Sequence, residues 1–336
     1  MARYFSRYQR RRRNIRWLIY IVSAIIIVIA VVAVLYRNRN SSKARQETVA
    51  PARDVTTAPK RVATEVLKVE PKLLQVRPQS TAEDNPEVAQ VIDKAVGLIN
   101  EKPAKIIEAR DILNETLPVP MSAQQLVFIK SQLSALANEW LFSRRIFPQD
   151  KLCGSHMVKS GDRLEVIGKK CRVPYEILME INNIDSPRAL QAARPIKVIN
   201  GPFHVRVYRS KFSMDIFLQN TYVCSFDVGL GKPGRETPTG LWVVGPKLEK
   251  PTWTDPDTGK TYESEDTDYP LGSRWISLTG VKGEALGRTG IAFHGTNDSN
   301  MIGIAGSRGC VRLHNGDVIL IYKLLMPGVS QVEVVQ

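Results

Sequence analysis

Two residues sixteen positions apart could carry nucleophilic chemistry in this chain. His294 opens the string His294-Gly295-Thr296-Asn297, and Cys310 sits in Ser307-Arg308-Gly309-Cys310-Val311-Arg312-Leu313. A thiolate is a strong nucleophile, and a nearby imidazole can take its proton. Gly309 lets the backbone turn tightly before Cys310 and aim amide N–H groups at an incoming carbonyl, as an oxyanion hole requires. The pattern fits acyl transfer through a thioester. Taken alone, the same two residues also fit a small buried thiol and a structural imidazole.

A domain able to position them is legible around the motif. From Phe203 the chain reads as β: Phe212, Met214, Ile216 and Leu218 alternate with Ser213, Asp215 and Phe217, and Val223 and Phe226 follow a turn at Asn220. Gly229 to Gly240 is turn-rich. Residues 247–272 are polar, contain Trp253, Tyr262 and Tyr269, and are long for a loop in a compact domain. They read as a lid over a substrate cleft.

The His294–Arg312 string resembles the active-site motif of the L,D-transpeptidases (YkuD family), HG–x(n)–S[HR]GC–x–R. Thr296, Ile302-Gly303 and Asn315 extend the match, as do Thr237-Pro238-Thr239-Gly240 and Pro270-Leu271-Gly272-Ser273-Arg274-Trp275 upstream. The resemblance implies a mainly-β L,D-transpeptidase catalytic domain over residues 202–336. It implies Cys310 as nucleophile and His294 as base, then acid, with the Gly295 carbonyl orienting the imidazole. The amides of Arg308, Gly309 and Cys310 would hold the oxyanion, and Ser307 would fix the loop. Many members have His where this chain has Arg308, which leaves His294 as the base in the motif. His314 is read as a supporting residue. Arg312, Asn315, Thr296 and Trp253 are the expected substrate contacts, although Arg312 fits a structural ion pair equally well. The implied reaction attacks the bond between a diamino acid and D-Ala in a peptidoglycan tetrapeptide stem and forms a 3→3 cross-link. Water as acceptor would make an L,D-carboxypeptidase, and a protein amine a protein-to-peptidoglycan transferase. A non-catalytic peptidoglycan-binding scaffold is the contrasting reading. No cofactor or metal is expected, since the four histidines are scattered and no Cys/His pairs have zinc spacing.

The remainder reads as a multidomain chain. Of the formal +14, residues 1–16 contribute +7 and residues 37–80 contribute +6, leaving +1 for residues 81–336. The folded part lacks the basic balance of a nucleic-acid enzyme, so no nucleic-acid partner is expected. Residues 17–36 carry no charge, and a helix of that length spans about 30 Å. An N-terminal transmembrane helix over 17–36 is expected, with the basic tail 1–16 cytoplasmic and the catalytic domain extracytoplasmic, in periplasm or cell wall. A cleaved signal peptide, cut near Ala30-Val31-Val32-Ala33, is the alternative. Residues 37–85 read as a flexible linker. Residues 86–150 form a small all-α segment with apolar residues at helical spacing, interrupted by Pro103 and Pro118-Val119-Pro120.

Residues 156–200 open with Val158-Lys159-Ser160-Gly161-Asp162-Arg163-Leu164, pass through Val173-Pro174-Tyr175 and Asn182-Asn183-Ile184, and close on Pro195-Ile196-Lys197-Val198. This βααβ order resembles a LysM module, which implies binding to N-acetylglucosamine-containing glycan strands. Ser160, Gly161 and Asp162, with Asn183, Ile184 and Asp185, are the implied glycan contacts. The Gly common before the last strand is Ala193 or Arg194 here. Cys153 and Cys171 lie close enough in sequence to bridge outside the membrane, and Cys224 reads as a core thiol.

Overall fold

The computed structural model describes residues 80, 81 and 83–336. The expected basic tail, the transmembrane helix 17–36 and nearly all of the linker lie outside the described residues. Among the described residues no helix is long and apolar enough to cross a membrane.

The helical segment contains α1 (Pro86–Asn100), α2 (Ile106–Thr116) and α3 (Ala123–Trp140). Their starts are chemically specified. The Asn85 side chain accepts from the amides of Glu87 and Val88, with Pro86 in the first turn. Ser122 and Gln125 form a reciprocal capping box at α3. Ser80–Thr81 (β1) pairs in parallel with Met121–Ser122 (β2), so the stretch read as linker ends in a short ordered strand. Leu126, Ile129, Leu133, Leu136 and Trp140 line the buried face of α3. Each such aliphatic side chain contributes about 1.5–3 kcal/mol by leaving water.

The LysM segment is β3 (Cys153–Met157), α4 (Leu164–Cys171), α5 (Tyr175–Asn182) and β4 (Pro195–Ile199), with β3 and β4 antiparallel. The opening strand therefore ends where the sequence motif begins. Ala193 adopts φ 59°, a left-handed conformation that glycine enters without penalty. Its amide donates to the Val158 carbonyl (2.8 Å), while the Val158 amide donates to Arg194 (3.1 Å). Lys197 of β4 is buried and donates from Nζ to the carbonyls of Trp140 (2.6 Å) and Ser143 (2.8 Å). A cation thus satisfies carbonyls at the C-terminal end of α3 and ties the helical segment to this module. All four cysteines are free, so Cys153 and Cys171 do not bridge; Cys153 is buried in β3 and Cys171 ends α4. Cys224 is half-buried.

The C-terminal domain is built on one eight-stranded mixed sheet. Its strands are β5 (Phe203–Tyr208), β6 (Ser213–Leu218), β7 (Thr221–Asp227), β9 (Gly240–Glu249), β12 (Arg274–Lys282), β13 (Ile291–His294), β15 (Val311–Arg312) and β16 (Gln331–Val335). They lie in the order β15-β13-β12-β9-β16-β5-β6-β7. A small parallel sheet joins β8 (Leu230–Gly231) to β14 (Ala305–Ser307), and β10 (Trp253–Thr254) forms a hairpin with β11 (Thr261–Tyr262). One helix, α6 (Asn315–Leu324), follows the motif.

The alternation expected in β6 does not give one wet face. Phe212 falls outside the strand, at φ 47°, and Asp215 and Phe217 are both buried. The reason is that α3 packs against β7 and covers that side. Asp215 accepts from Lys130 Nζ (2.6 Å), Tyr208 Oη (3.0 Å) and Ser225 Oγ (2.7 Å). A buried carboxylate is tolerable only when satisfied in this way.

Candidate active site

His294 ends β13 and Cys310 immediately precedes β15. Parallel pairing of the two strands, Phe293 with Val311 and His294 with Arg312, brings the two halves of the motif together. On its other side His294 pairs with Trp275 of β12 in antiparallel register. The Trp275 and His294 rings stack at 5.6 Å and 15°.

The imidazole is buried, and its Nδ1 lies 2.6 Å from the Gly295 carbonyl. That carbonyl can only accept, so Nδ1 carries the proton and Nε2 is the basic nitrogen. Burial pushes the His294 pKa down to about 4, the Gly295 bond opposing this and the charge of Arg312 adding to it. The Cys310 thiol faces the Gly290 carbonyl at 3.8 Å. Burial raises its pKa, with the Ala292 amide and Arg312 acting the other way. Both shifts disfavour the charged forms, the thiolate and the imidazolium.

The loop before Cys310 is fixed by two hydroxyls. Ser307 Oγ donates to the Cys310 carbonyl (2.6 Å) and accepts from the Gly309 amide (3.0 Å). Thr237 Oγ1 donates to the Gly309 carbonyl (2.9 Å) and accepts from Gly231 (3.1 Å). Gly309 sits at φ 113°, and a Cβ there would lie 2.8 Å from Ile291 Cδ1. The backbone angle is what calls for glycine here, since the Ile291 contact is with the movable end of a side chain. Because Ser307 occupies the Gly309 amide, the amides of Arg308 and Cys310 are the loop's uncommitted donors among the described residues. The motif had suggested all three.

Asn315 begins α6 and acts as a brace. Its Oδ1 accepts from Ser273 N (2.8 Å) and its Nδ2 donates to the Thr296 carbonyl (3.0 Å). Thr296 is buried, with Oγ1 exchanging bonds with the Asp298 backbone. A Cβ on Gly295 would meet Asn315 Oδ1 at 2.2 Å, so this contact also needs glycine. Asn315 and Thr296 accordingly hold the loops flanking His294. Arg312 is half-buried and donates to the Gly306 carbonyl (3.4 Å). It has no carboxylate partner among the described residues, so the structural ion pair considered for it is not formed there. His314 is exposed at the N-cap of α6.

The expected lid is an ordered hairpin. Trp253 lies on β10, its ring 5.8 Å from that of Tyr262 on β11. Thr237 and Trp275 are the supporting residues that pattern reading left unassigned. Both lie in strings already notable in the sequence, but only the fold shows what they touch. The six expected glycan residues belong to the LysM module. Ser160, Gly161, Asn183 and Asp185 are exposed, Asp162 and Ile184 half-buried. Asp162 accepts from Lys159 N (2.9 Å) and lies 2.8 Å from His156 Nε2. Among the described residues no group of three or more His, Cys, Asp or Glu is placed to hold a metal ion.

This fold and site define a β-rich domain in which paired strands bring a loop-borne cysteine and a buried histidine into one neighbourhood. Residues 202–334 match the YkuD family, the L,D-transpeptidase catalytic domain, and residues 156–198 match the LysM domain. A Bacillus subtilis (strain 168) relative carrying the L,D-transpeptidase name, YqjB, is 31% identical over 130 residues, covering 38% of this chain and 69% of its own. A second, YkuD of the same strain, is 27% identical over 181 residues, covering 52% of this chain and 94% of its own. The crystal structure of an L,D-transpeptidase from Mycobacterium tuberculosis H37Rv aligns over 43% of this chain and 63% of that one, at 15% identity and a TM-score of 0.33. The chain belongs to the L,D-transpeptidase family and carries a LysM domain beside its catalytic domain.

Proposed function

We propose that this protein forms 3→3 peptidoglycan cross-links through a thioester on Cys310. The observation that carries this reading is the His294–Gly295 contact, which fixes the tautomer and leaves Nε2 as a neutral base beside the loop of Cys310. In the first half-reaction the Cys310 sulfur bonds to the carbonyl carbon of the diamino acid residue while its proton passes to His294 Nε2. The oxyanion is met by the amides of Arg308 and Cys310. The C–N bond to D-Ala then breaks, and D-Ala leaves with the proton returned by His294. In the second half-reaction the side-chain amine of another stem attacks the thioester, loses its proton to His294, and the Cys310 thiol is restored.

Arg312 suits the donor's terminal carboxylate, since a half-buried guanidinium without a carboxylate partner is open to a bidentate pair. The LysM domain supplies affinity for glycan strands, with the exposed loops at 160–162 and 183–185 as its contact surface. Residues 17–36 anchor the chain in the cell membrane, with the folded domains on the extracytoplasmic side.

The reading is tested by incubating the protein with disaccharide-tetrapeptide and measuring intact mass. An adduct on Cys310 that lacks the terminal D-Ala, absent in Cys310→Ala, is expected. Folded protein with a reduced thiol and no adduct would assign the working role to the LysM domain, as a wall-binding scaffold.

A further inference from the structure

Arg308 stands between Ser307 and Gly309 in the catalytic loop, and its side chain leaves that loop for the hairpin β10–β11. Its Nη2 meets Asp255 at 3.0 and 3.2 Å, and its Nε meets Asp257 at 2.8 Å. One guanidinium thereby holds two carboxylates from one turn, the forked geometry that only arginine offers. The turn itself is stiff. Asp255 Oδ1 accepts from the amides of Asp257 (2.8 Å) and Thr258 (3.3 Å), Asp255 N donates to Lys260 O (2.8 Å), and Gly259 N donates to Asp255 O (2.8 Å). Arg235, on the turn before Thr237, reaches Asp257 at 3.3 Å from the other side. Asp255 is the more enclosed carboxylate, its side chain 14% exposed against 43% for Asp257.

We propose that Asp255 and Asp257 are positioning residues for acyl transfer: through Arg308 they hold the catalytic loop, and with it the oxyanion-binding amides of Arg308 and Cys310, in register with the β10–β11 hairpin. Two facts make the link mechanical. The Arg308 amide is one of the two loop donors left free, so whatever orients the residue orients that donor. Ser307 and Thr237 fix the loop at Gly309 and Cys310, whereas Arg308 is fixed through its own side chain. The pairing also occupies the charge of Arg308, which leaves Arg312 as the guanidinium beside the thiol without a carboxylate.

This inference rests on the acyl-transfer reading, and its test separates the two. Acylation of Cys310 by a carbapenem uses the oxyanion site, whereas alkylation by iodoacetamide uses only the thiol. Both rates are followed by intact mass in the full-length protein, for wild type and Asp255→Asn/Asp257→Asn, which keeps the turn's side-chain acceptor and removes only the charge. Removing an oxyanion donor outright costs about 10²–10³-fold; a loosened donor should cost about tenfold. The Asn pair should acylate about tenfold more slowly than wild type and alkylate within twofold of it. Arg308→Lys, which keeps the charge but loses the fork, should fall with the Asn pair. Acylation unchanged in the Asn pair, or both rates falling together, would overturn the proposal. A wild-type protein that alkylates but never acylates would refute the acyl-transfer reading itself, and the positioning role with it.

Discussion

Raising pH through the titration of Cys310 should distinguish this site from one with a preformed ion pair. Burial holds His294 near 4 and raises Cys310 above an ordinary value of 9.0. With a thiol pKa above that value, fewer than about one molecule in a hundred is thiolate at pH 7. The sign follows directly: alkylation needs the thiolate, so its rate should climb as pH rises, about tenfold per unit, from pH 5 through pH 8. His294 is neutral throughout that range and contributes no step near 6.5. The assay is the second-order rate of iodoacetamide addition at Cys310, resolved by peptide mass. Cys153 and Cys224, both pushed up to about 12 by burial, serve as slow internal references. A rate that levels off between pH 5 and 8, with an inflection below 6, would refute the reasoning, because it would report a thiolate–imidazolium pair at rest.

Thr237→Val should strand the Gly231 amide and Gly309 carbonyl in a buried place, costing about 2–4 kcal/mol in denaturant unfolding and at least tenfold in acylation; Thr237→Ser should restore most of both. Ala193→Gly should relieve the left-handed strain at φ 59°. The relief of about 1–2 kcal/mol is partly offset by unfolded-chain entropy, leaving a small gain in Tm and no change in acylation. Burial also lowers His204 to about 4, and its Nδ1 accepts from Gln331 N at 3.2 Å. For His204 and His294 the unfolded chain binds protons first, so stability is present above about 6.5 and lost as pH falls to about 4. The loss is about 3 kcal/mol per histidine, and His204→Gln should flatten that slope in pH-dependent unfolding.

The strings around His294 and Cys310 were readable because their local geometry needs particular residues at particular places: Gly309 at φ 113°, a hydroxyl at Ser307, a carbonyl after His294. The βααβ order of the LysM segment was readable from its apolar positions and turns. What escaped were relations between distant segments. Asp215 looked like a solvent-facing strand residue because nothing local reveals that α3 lies over it with Lys130. The 247–272 stretch looked like a loop because its strands are two residues long, and its aspartates gained meaning only beside Arg308. The nearness of Cys153 and Cys171 in sequence suggested a bridge, yet one cysteine lies in a strand and the other ends a helix. Thr237 and Trp275 were visible as motif letters, but their contacts with Gly309 and His294 depend on pairing across the sheet.

The most direct test of the central claim is product analysis after incubating the purified protein with disaccharide-tetrapeptide, beside Cys310→Ala. The account predicts a dimer whose mass is that of two donors less one D-alanine, with free D-alanine released in equal amount, and neither in the control. Cross-linked dimer formed equally by Cys310→Ala, or a folded wild-type protein with a reduced thiol that yields only unchanged donor, would contradict it.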